Sequence, residues 1–111
     1  MAMTDEMAGG LRERVVMEHW REARDAAGTA AGSWISAGPA FAAITPDAGT
    51  AAALGEARRS GRRWRVTMRE DARLGLTSRL WWRGETLIVL LAERDPRLPD
   101  RVVLRCEAQP I

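Results

Sequence analysis

The chain of 111 residues has one cysteine and one histidine, and it has no lysine, tyrosine or asparagine. One cysteine excludes a disulfide within the chain, and one histidine excludes a metal site built from several histidines. No apolar run reaches the 18 residues of a membrane-spanning helix, because the longest, Leu87 to Ala92, has only the length of a buried strand. These absences predict one globular domain without membrane contact.

Reactive side chains are too few and too scattered to form an active site. His19 has no second histidine to work with, and Cys106 lies on the predicted apolar face of a strand, where a thiol behaves as a small hydrophobe. Adjacent carboxylates occur only at 5–6 and 70–71, on predicted surface segments. We therefore expect a protein that is not an enzyme, with no catalytic, cofactor-binding or metal-binding residue.

Positive charge is supplied by arginine alone and is concentrated in one part of the chain. The net charge is only +2, and the pI of 9.9 overstates it because arginine stays protonated at high pH. The segment 57–84 has a balance of +7, whereas the rest of the chain has −5. This polarity suits subunits that pack head to tail or in a ring, and the alternative is a set of solvated strand faces.

The densest arginine cluster lies at 58–63. Its functional interpretation is contact with phosphates of DNA, and its structural interpretation is ion pairing with neighbouring subunits or plain solvation. We select Arg62, Arg63 and Arg65 as a candidate basic interface or DNA contact.

Five tryptophans are many for this length. Trp64 fits a core position, whereas Trp81 and Trp82 are adjacent, so on a strand one of them must face away from the core. An outward tryptophan is a candidate interface anchor, and Trp81 is assigned that role. The alternative is that the outward ring lies under the loop Glu93–Asp100.

The first half of the chain predicts an arm and two strands. Residues 1–10 hold three methionines and a Gly-Gly pair, which is typical of a flexible N-terminal arm. Arg14–Trp20 alternates as a strand, and Arg21–Gly32 is predicted as a loop or wide hairpin tip, with helix as the alternative. Ser33–Thr45 is a strand interrupted at Gly38-Pro39, where a bulge or change of direction is expected.

The only convincing helix follows Pro46. The segment at about 47–59 can be capped by Asp47 or Thr50 and ends at Ser60-Gly61. Its apolar positions are mostly alanine, so it buries little area by itself. We expect it to pack closely or to face a neighbouring subunit.

The second half predicts four strands. In Gly61–Glu70 the residues Trp64, Val66 and Met68 share one face, which is the pattern of a half-buried strand. Ser78–Arg83 and Glu85–Ala92 are joined by a tight turn at Arg83-Gly84, and a loop at 93–100 precedes the strand 101–107. The pattern predicts a mainly β (α+β) fold, a small antiparallel β-barrel or sandwich with one inserted α-helix, spanning 11–108 before a tail at 109–111.

The order and spacing of these segments resemble the phage head-tail joining family, which includes the head-tail adaptor and head-closure (stopper) proteins of tailed phages and gene transfer agents. The resemblance extends from about Gly10 to Glu107, and Phe41 stands where the family commonly has tryptophan. The matching points are Leu11-Arg12 with Arg14-Val15, Phe41 to Pro46, Arg65 to Arg69, Arg79-Leu80 before the turn at Arg83-Gly84, and Asp95-Pro96.

The resemblance implies a subunit of a homo-oligomeric ring in a virion or phage-like particle, made in the bacterial cytoplasm. Such rings lie between the portal-adaptor complex and the tail or tail terminator, seal packaged DNA and dock the tail. By position, the segment 47–61 is the candidate lumen or inter-subunit element, represented by Asp47, Thr50, Leu54, Glu56, Arg58 and Arg59. The alternative from the residues alone is a basic nucleic-acid-binding β-barrel, and no cofactor is implied.

Overall fold

The computed structural model describes residues 10–47 and 62–109, and the strands of these two segments form one closed barrel. All neighbouring pairs are antiparallel, in the order β1-β2-β3-β6-β5-β4, which closes when β1 pairs with β4. The mainly β, antiparallel barrel is therefore confirmed. The strands are β1 (Glu13–Arg24), β2 (Ala30–Pro46), β3 (Arg63–Arg69), β4 (Ser78–Trp82), β5 (Glu85–Glu93) and β6 (Arg101–Gln109).

The barrel interior is filled by alternate residues of every strand. On β6 the inward set is Val102, Leu104, Cys106 and Ala108, each at most 4% exposed. This period of two is the pattern that the sequence showed, since successive side chains of a strand point to opposite faces. The other core residues are Val15, Met17, Ala42, Val66, Met68, Leu74, Leu80, Trp82, Leu87 and Val89.

The expected irregularity at Gly38-Pro39 is present as a β-bulge in β2. Gly38 pairs with Met17 and Ser36 with Glu18, so Ala37 is an extra residue in the ladder. Gly38 has φ +89°, which glycine adopts without a steric penalty. The bulge bends β2 where it leaves the barrel.

The tight turn between β4 and β5 is confirmed, and both of its residues have positive φ. Arg83 has φ +50° and Gly84 has φ +79°, which is the type I′ geometry that matches the twist of a two-residue hairpin. A second bulge in β5 falls between Val89 and Leu91, and it leaves Leu90 and Leu91 exposed. The apolar run at 87–92 is therefore not a wholly buried strand.

The first hairpin is longer than the sequence predicted. β1 continues to Arg24 and β2 begins at Ala30, so 21–32 is the tip of a hairpin, as one of the alternatives had it, with a turn at 25–29 only. Neither a loop nor a helix spans the segment. β4 pairs with β1 only as far as His19, and β3 pairs with β2 only from Ala42. The outer part of the hairpin thus has no third strand in the described chain, and we call residues 20–36 the distal ribbon.

The inserted helix expected at about 47–59 lies outside the described residues apart from Asp47, which follows β2. The described part contains six strands and no helical element, so the α component of the predicted fold class is not supported there. Within the same residues no helix is long and apolar enough to cross a membrane. The predicted arm, apart from Gly10, and the last two residues of the predicted tail also lie outside the description.

Candidate interaction surface

The predicted basic residues mostly contact acidic partners of the same chain. Arg62 forms an ion pair with Glu85, and Arg63 lies 3.3 Å from Glu107 in a largely covered position. Arg65, the third of the set, is exposed and forms no ion pair within the described residues. Arg63 and Arg65 lie on β3 and Arg62 directly precedes it, so the three residues are neighbours in different environments.

Three further arginines of the basic block form ion pairs, which are Arg73–Asp71, Arg79–Glu18 and Arg83–Glu13. Glu18 and Glu13 are distant in the sequence from their partners, whereas Asp71 lies two residues from Arg73. Folding therefore evens out part of the charge polarity that the sequence shows. Pairs at a protein surface contribute little stability, about 0–1 kcal/mol each, but they leave fewer charges for a partner.

Asp47 is the one described residue of the candidate lumen segment. Its carboxylate accepts hydrogen bonds of 3.1 and 3.3 Å from Arg105, which also donates to Glu93 at 2.7 Å. Asp47 therefore fastens the end of β2 to the outer face of β6. The remaining candidates of that segment, Thr50, Leu54, Glu56, Arg58 and Arg59, lie outside the described residues.

Trp81 faces outward, as predicted for one of the two adjacent tryptophans, whereas Trp82 is buried. The indole N–H of Trp81 donates to Glu18 Oε1 at 2.7 Å, and Arg79 Nε donates to the same oxygen at 2.6 Å. The ring lies on the outer face of β4, not under the loop at 93–100. The side chain is half-buried because these neighbours hold it against the barrel.

A patch of aromatic side chains continues from Trp81 onto the distal ribbon. Trp20 and Trp34 form an edge-to-face pair with centroids 5.3 Å apart, and the Arg79 guanidinium lies 4.2 Å from the Trp34 centroid. Trp and Arg are the residue types most enriched at interface hot spots. We call Val16, Trp20, Trp34, Arg79 and Trp81 the aromatic patch.

Sequence reasoning selected only Trp81 of the five members of this patch. Trp20 and Trp34 lie at equal distances from Ala27, as expected for a cross-strand pair in a hairpin centred there. The signal was lost because the intervening residues carry no apolar alternation and were interpreted as a loop.

His19 is held by the loop between β3 and β4. The buried Ser78 hydroxyl donates to the Arg73 carbonyl at 3.1 Å, so His19 Nδ1, 2.8 Å away, donates to Ser78 Oγ. Burial and the nearby Arg73 charge lower the pKa of His19, which favours the neutral ring. This is a structural arrangement, because the Ser78 hydroxyl is buried and donates its hydrogen bond to the Arg73 carbonyl, so the histidine does not activate it as a nucleophile.

Arg94 organises the same loop from the opposite side. It forms two hydrogen bonds to the Glu70 carboxylate, at 2.6 and 3.0 Å, and donates to the carbonyls of Asp71 and Leu74. The bond from Arg94 lowers the pKa of Glu70, and the bond from Arg73 lowers that of Asp71 to about 2. These carboxylates are ion-pair partners and not proton donors at neutral pH.

The one cysteine, Cys106, is fully buried in the barrel core. Burial raises the pKa of the Cys106 thiol to about 12, so it carries no reactive thiolate at neutral pH. No group of three or more His, Cys, Asp or Glu that could hold a metal ion occurs among residues 10–47 and 62–109.

A hollow of about 290 Å³ at the barrel mouth is lined mainly by apolar residues, among them Leu11, Phe41 and Met68.

Comparison with known proteins places the fold but gives no family. No family model and no curated protein matches the chain. The solution structure of a protein from Shigella flexneri 2a matches with a TM-score of 0.69 and 21% identity, covering 90% of this chain and 94% of that one. A chain in the virion of a native gene transfer agent particle matches with a TM-score of 0.67 and 17% identity, covering 91% and 97%. At these identities the likeness shows the shared barrel fold.

Proposed function

We propose that the protein is a structural subunit of a phage or phage-like particle. The observation that supports this most directly is the match to a chain of the gene transfer agent virion over nearly the full length of both chains. The finer proposal, which rests on the sequence resemblance, is a head-tail connector. In that role the subunit forms a ring between the portal-adaptor complex and the tail, seals packaged DNA and docks the tail.

The surface chemistry fits a connector better than a catalyst. The aromatic patch offers Trp and Arg side chains to a protein partner, whereas the one histidine and the one cysteine are held in structural positions. A ring needs two different complementary surfaces on each subunit. One is the aromatic patch on β1, β2 and β4. The other is the outer face of β3 and β6, where Arg63 pairs with Glu107 and Arg105 pairs with Asp47.

Nucleic-acid binding is the weaker proposal. Five of the seven arginines of the block that the structure describes, Arg62, Arg63, Arg73, Arg79 and Arg83, form ion pairs with carboxylates of the same chain. Contact with packaged DNA would then be nonspecific and strongly salt-dependent. Titration of duplex DNA at low and moderate salt separates the proposals, because tight binding by the purified subunit would favour the nucleic-acid alternative.

Deletion of the gene in the producing strain tests the connector proposal. Negative-stain microscopy is expected to show heads and finished tails that are not joined. Full heads would indicate an adaptor-like role, and empty heads that have lost DNA would indicate a stopper. Normal tailed particles would contradict the proposal.

Complementation with point variants tests the surface. We expect Trp81→Ser to reduce the fraction of tailed particles several-fold, because an interface anchor is lost. Leu76→Ser is the matched control, since Leu76 is exposed and lies outside the aromatic patch. Equal losses for both variants, or none for Trp81→Ser, would remove Trp81 from the proposed interface.

A further inference from the structure

The distal ribbon has one long strand edge without a neighbour. From Ala30 to Ser36, β2 pairs with β1 on one side, and in the described residues no strand pairs with it on the other. Six of these seven residues are exposed, and Trp34 is half-buried. Unpaired backbone N–H and C=O groups along such an edge are a template for another strand.

The ladder fixes which backbone groups point out of this edge. Trp20 N–H donates to Thr77 O at 2.7 Å, so the backbone of Trp20 faces away from β2. Its cross-strand partner Trp34 is therefore in a non-hydrogen-bonded pair, and its own N–H and C=O point to the free edge. The same alternation directs the backbone groups of Ala30, Gly32 and Ser36 outward.

The edge also lacks the usual protection against pairing. In a chain with 29% charged residues, none occurs from Ala26 to Pro46. Natural edges are blunted by charges, prolines and bulges, and here the bulge and Pro39 begin only after Ser36. The seven residues before them are left as an uncharged and uninterrupted edge.

We propose that a second copy of this chain occupies this edge, with the two β2 strands antiparallel about a two-fold axis at Ser33. Gly32 of each copy then lies opposite Trp34 of the other, and Ala30 lies opposite Ser36. Each of these pairs joins residues whose backbone groups point outward, so about eight N–H···O bonds form. No like charges meet, because the edge carries none.

Two observations favour a second copy over another occupant. The edge matches itself in length, in its lack of charge and in the alternation of outward-pointing groups, as an isologous interface requires. The ribbon has only two strands, and a two-stranded sheet has marginal stability in water. Pairing of two copies makes a four-stranded sheet. The Trp20 ring covers Gly32 and packs against Trp34. Because the proposed two-fold axis is perpendicular to the sheet, the tryptophans of both copies lie on the same face of it.

This dimer goes beyond the proposed function and does not depend on it. A two-fold interface closes on itself, so it describes the free subunit and not a ring. The experiments use the purified full-length chain without any particle component. Their failure would leave the connector proposal as it stands.

Sedimentation velocity over a range of concentrations gives the first test. We expect the 12.3 kDa chain to shift toward a species of twice that mass. Ser33→Lys places two ammonium groups opposite each other at the axis and should raise the dissociation constant at least about tenfold. Ala23→Lys adds the same charge to the same face of the ribbon, but on β1 and away from the edge. It should change the dissociation constant little.

Disulfide trapping gives the register. Ser33→Cys should form a covalent dimer quickly under mild oxidation, because the proposed axis places residue 33 of one copy opposite residue 33 of the other. Ala31→Cys is equally exposed on the same face, but it lies opposite residue 35 and should react more than about tenfold slower, since a disulfide needs Cβ atoms close together. Cys106 is buried and should stay reduced in both.

Each outcome decides the proposal. A concentration-dependent dimer that Ser33→Lys dissociates and Ala23→Lys does not, together with selective trapping at position 33, supports it. A monomer at every concentration, larger head-to-tail oligomers, equal effects of the two lysines, or equal trapping at 31 and 33 overturns it.

Discussion

Strands β1 and β2 run through both the six-stranded barrel and the distal ribbon, but different forces hold the two regions. Inside the barrel, β1 and β2 contribute Val15, Met17 and Ala42 to a core with almost no solvent exposure. In the distal ribbon no side chain is buried, and its order rests on backbone pairing, the turn and the Trp20–Trp34 pair. Burial therefore specifies one region, and local hydrogen bonding specifies the other.

This difference means that the two regions should respond separately to mutation. Apolar burial contributes most of the free energy of folding, whereas a two-stranded ribbon is marginal without a packed face. Local opening of the ribbon should require less free energy than unfolding of the barrel. The predictions below are ordered by the size of the expected effect.

The largest effect is expected from a cavity in the barrel. Leu104→Ala removes a fully buried side chain of β6 and should lower the free energy of unfolding by about 2–5 kcal/mol. Leu91→Ala is the control, because Leu91 is 49% exposed, and it should cost less than about 1 kcal/mol. Urea denaturation followed by tryptophan fluorescence measures both, and similar losses would contradict the assigned faces.

A smaller effect is expected from the buried hydroxyl that joins the barrel to the loop at 71–77. Ser78→Ala leaves the Arg73 carbonyl and the Gly75 N–H without this partner, which should cost about 1–3 kcal/mol. Denaturant unfolding measures this loss, and an unchanged midpoint would contradict the role of the hydroxyl.

The loss of stability at acid pH should depend on the same loop. The pKa of Asp71 is about 2 in the folded chain, below its unfolded value near 3.9, so its contribution is present above pH 4 and is lost as the pH falls toward 2. Because the partner Arg73 is exposed, we expect Asp71 to contribute about 1 kcal/mol to the free energy of unfolding. Unfolding curves between pH 2 and 6 should show a shallower acid limb for Asp71→Asn, and an unchanged slope would count against the prediction.

The smallest effect on global stability is expected at the tip of the ribbon. The Asp25 carboxylate accepts hydrogen bonds from the N–H groups of Ala27 and Thr29, both at 2.9 Å. Asp25→Ala should change the free energy of global unfolding by less than about 0.5 kcal/mol, yet hydrogen exchange at 27 and 29 should become several-fold faster. A large global loss would show that the ribbon and the barrel unfold as one unit.

The sequence predicted the barrel well because burial leaves a periodic signal. β3 and β6 alternate as expected, and the turn at Arg83-Gly84 and the break at Gly38-Pro39 are where glycine and proline placed them. The predicted strand ends in the distal ribbon were wrong. Neither face of the ribbon is buried, so no apolar alternation marks its strands in the sequence. Its turn is fixed by Asp25 and backbone bonds, which polar composition alone does not reveal.

The interaction surface was less predictable than the fold. The outward position of Trp81 followed from its adjacency to Trp82, but its bond to Glu18 joins residues far apart in the sequence. The same is true of Arg62 with Glu85 and of the other long-range ion pairs. Charge totals along a chain do not show which charges folding will bring together.

The extra residue in β2 has a consequence for insertions and deletions. Before the bulge Ile35 pairs with His19, and after it Gly38 pairs with Met17. Ala37 has no partner, so the outward-facing residues of β2 have even numbers before the bulge and odd numbers after it. Because Ala37 is the residue without a partner, its removal would leave the same cross-strand pairs in a regular ladder and would keep Trp34 on its present face. A one-residue deletion at 36–38 should therefore be tolerated, whereas a one-residue deletion in the facing part of β1, which has no extra residue, should turn the residues beyond it to the opposite face.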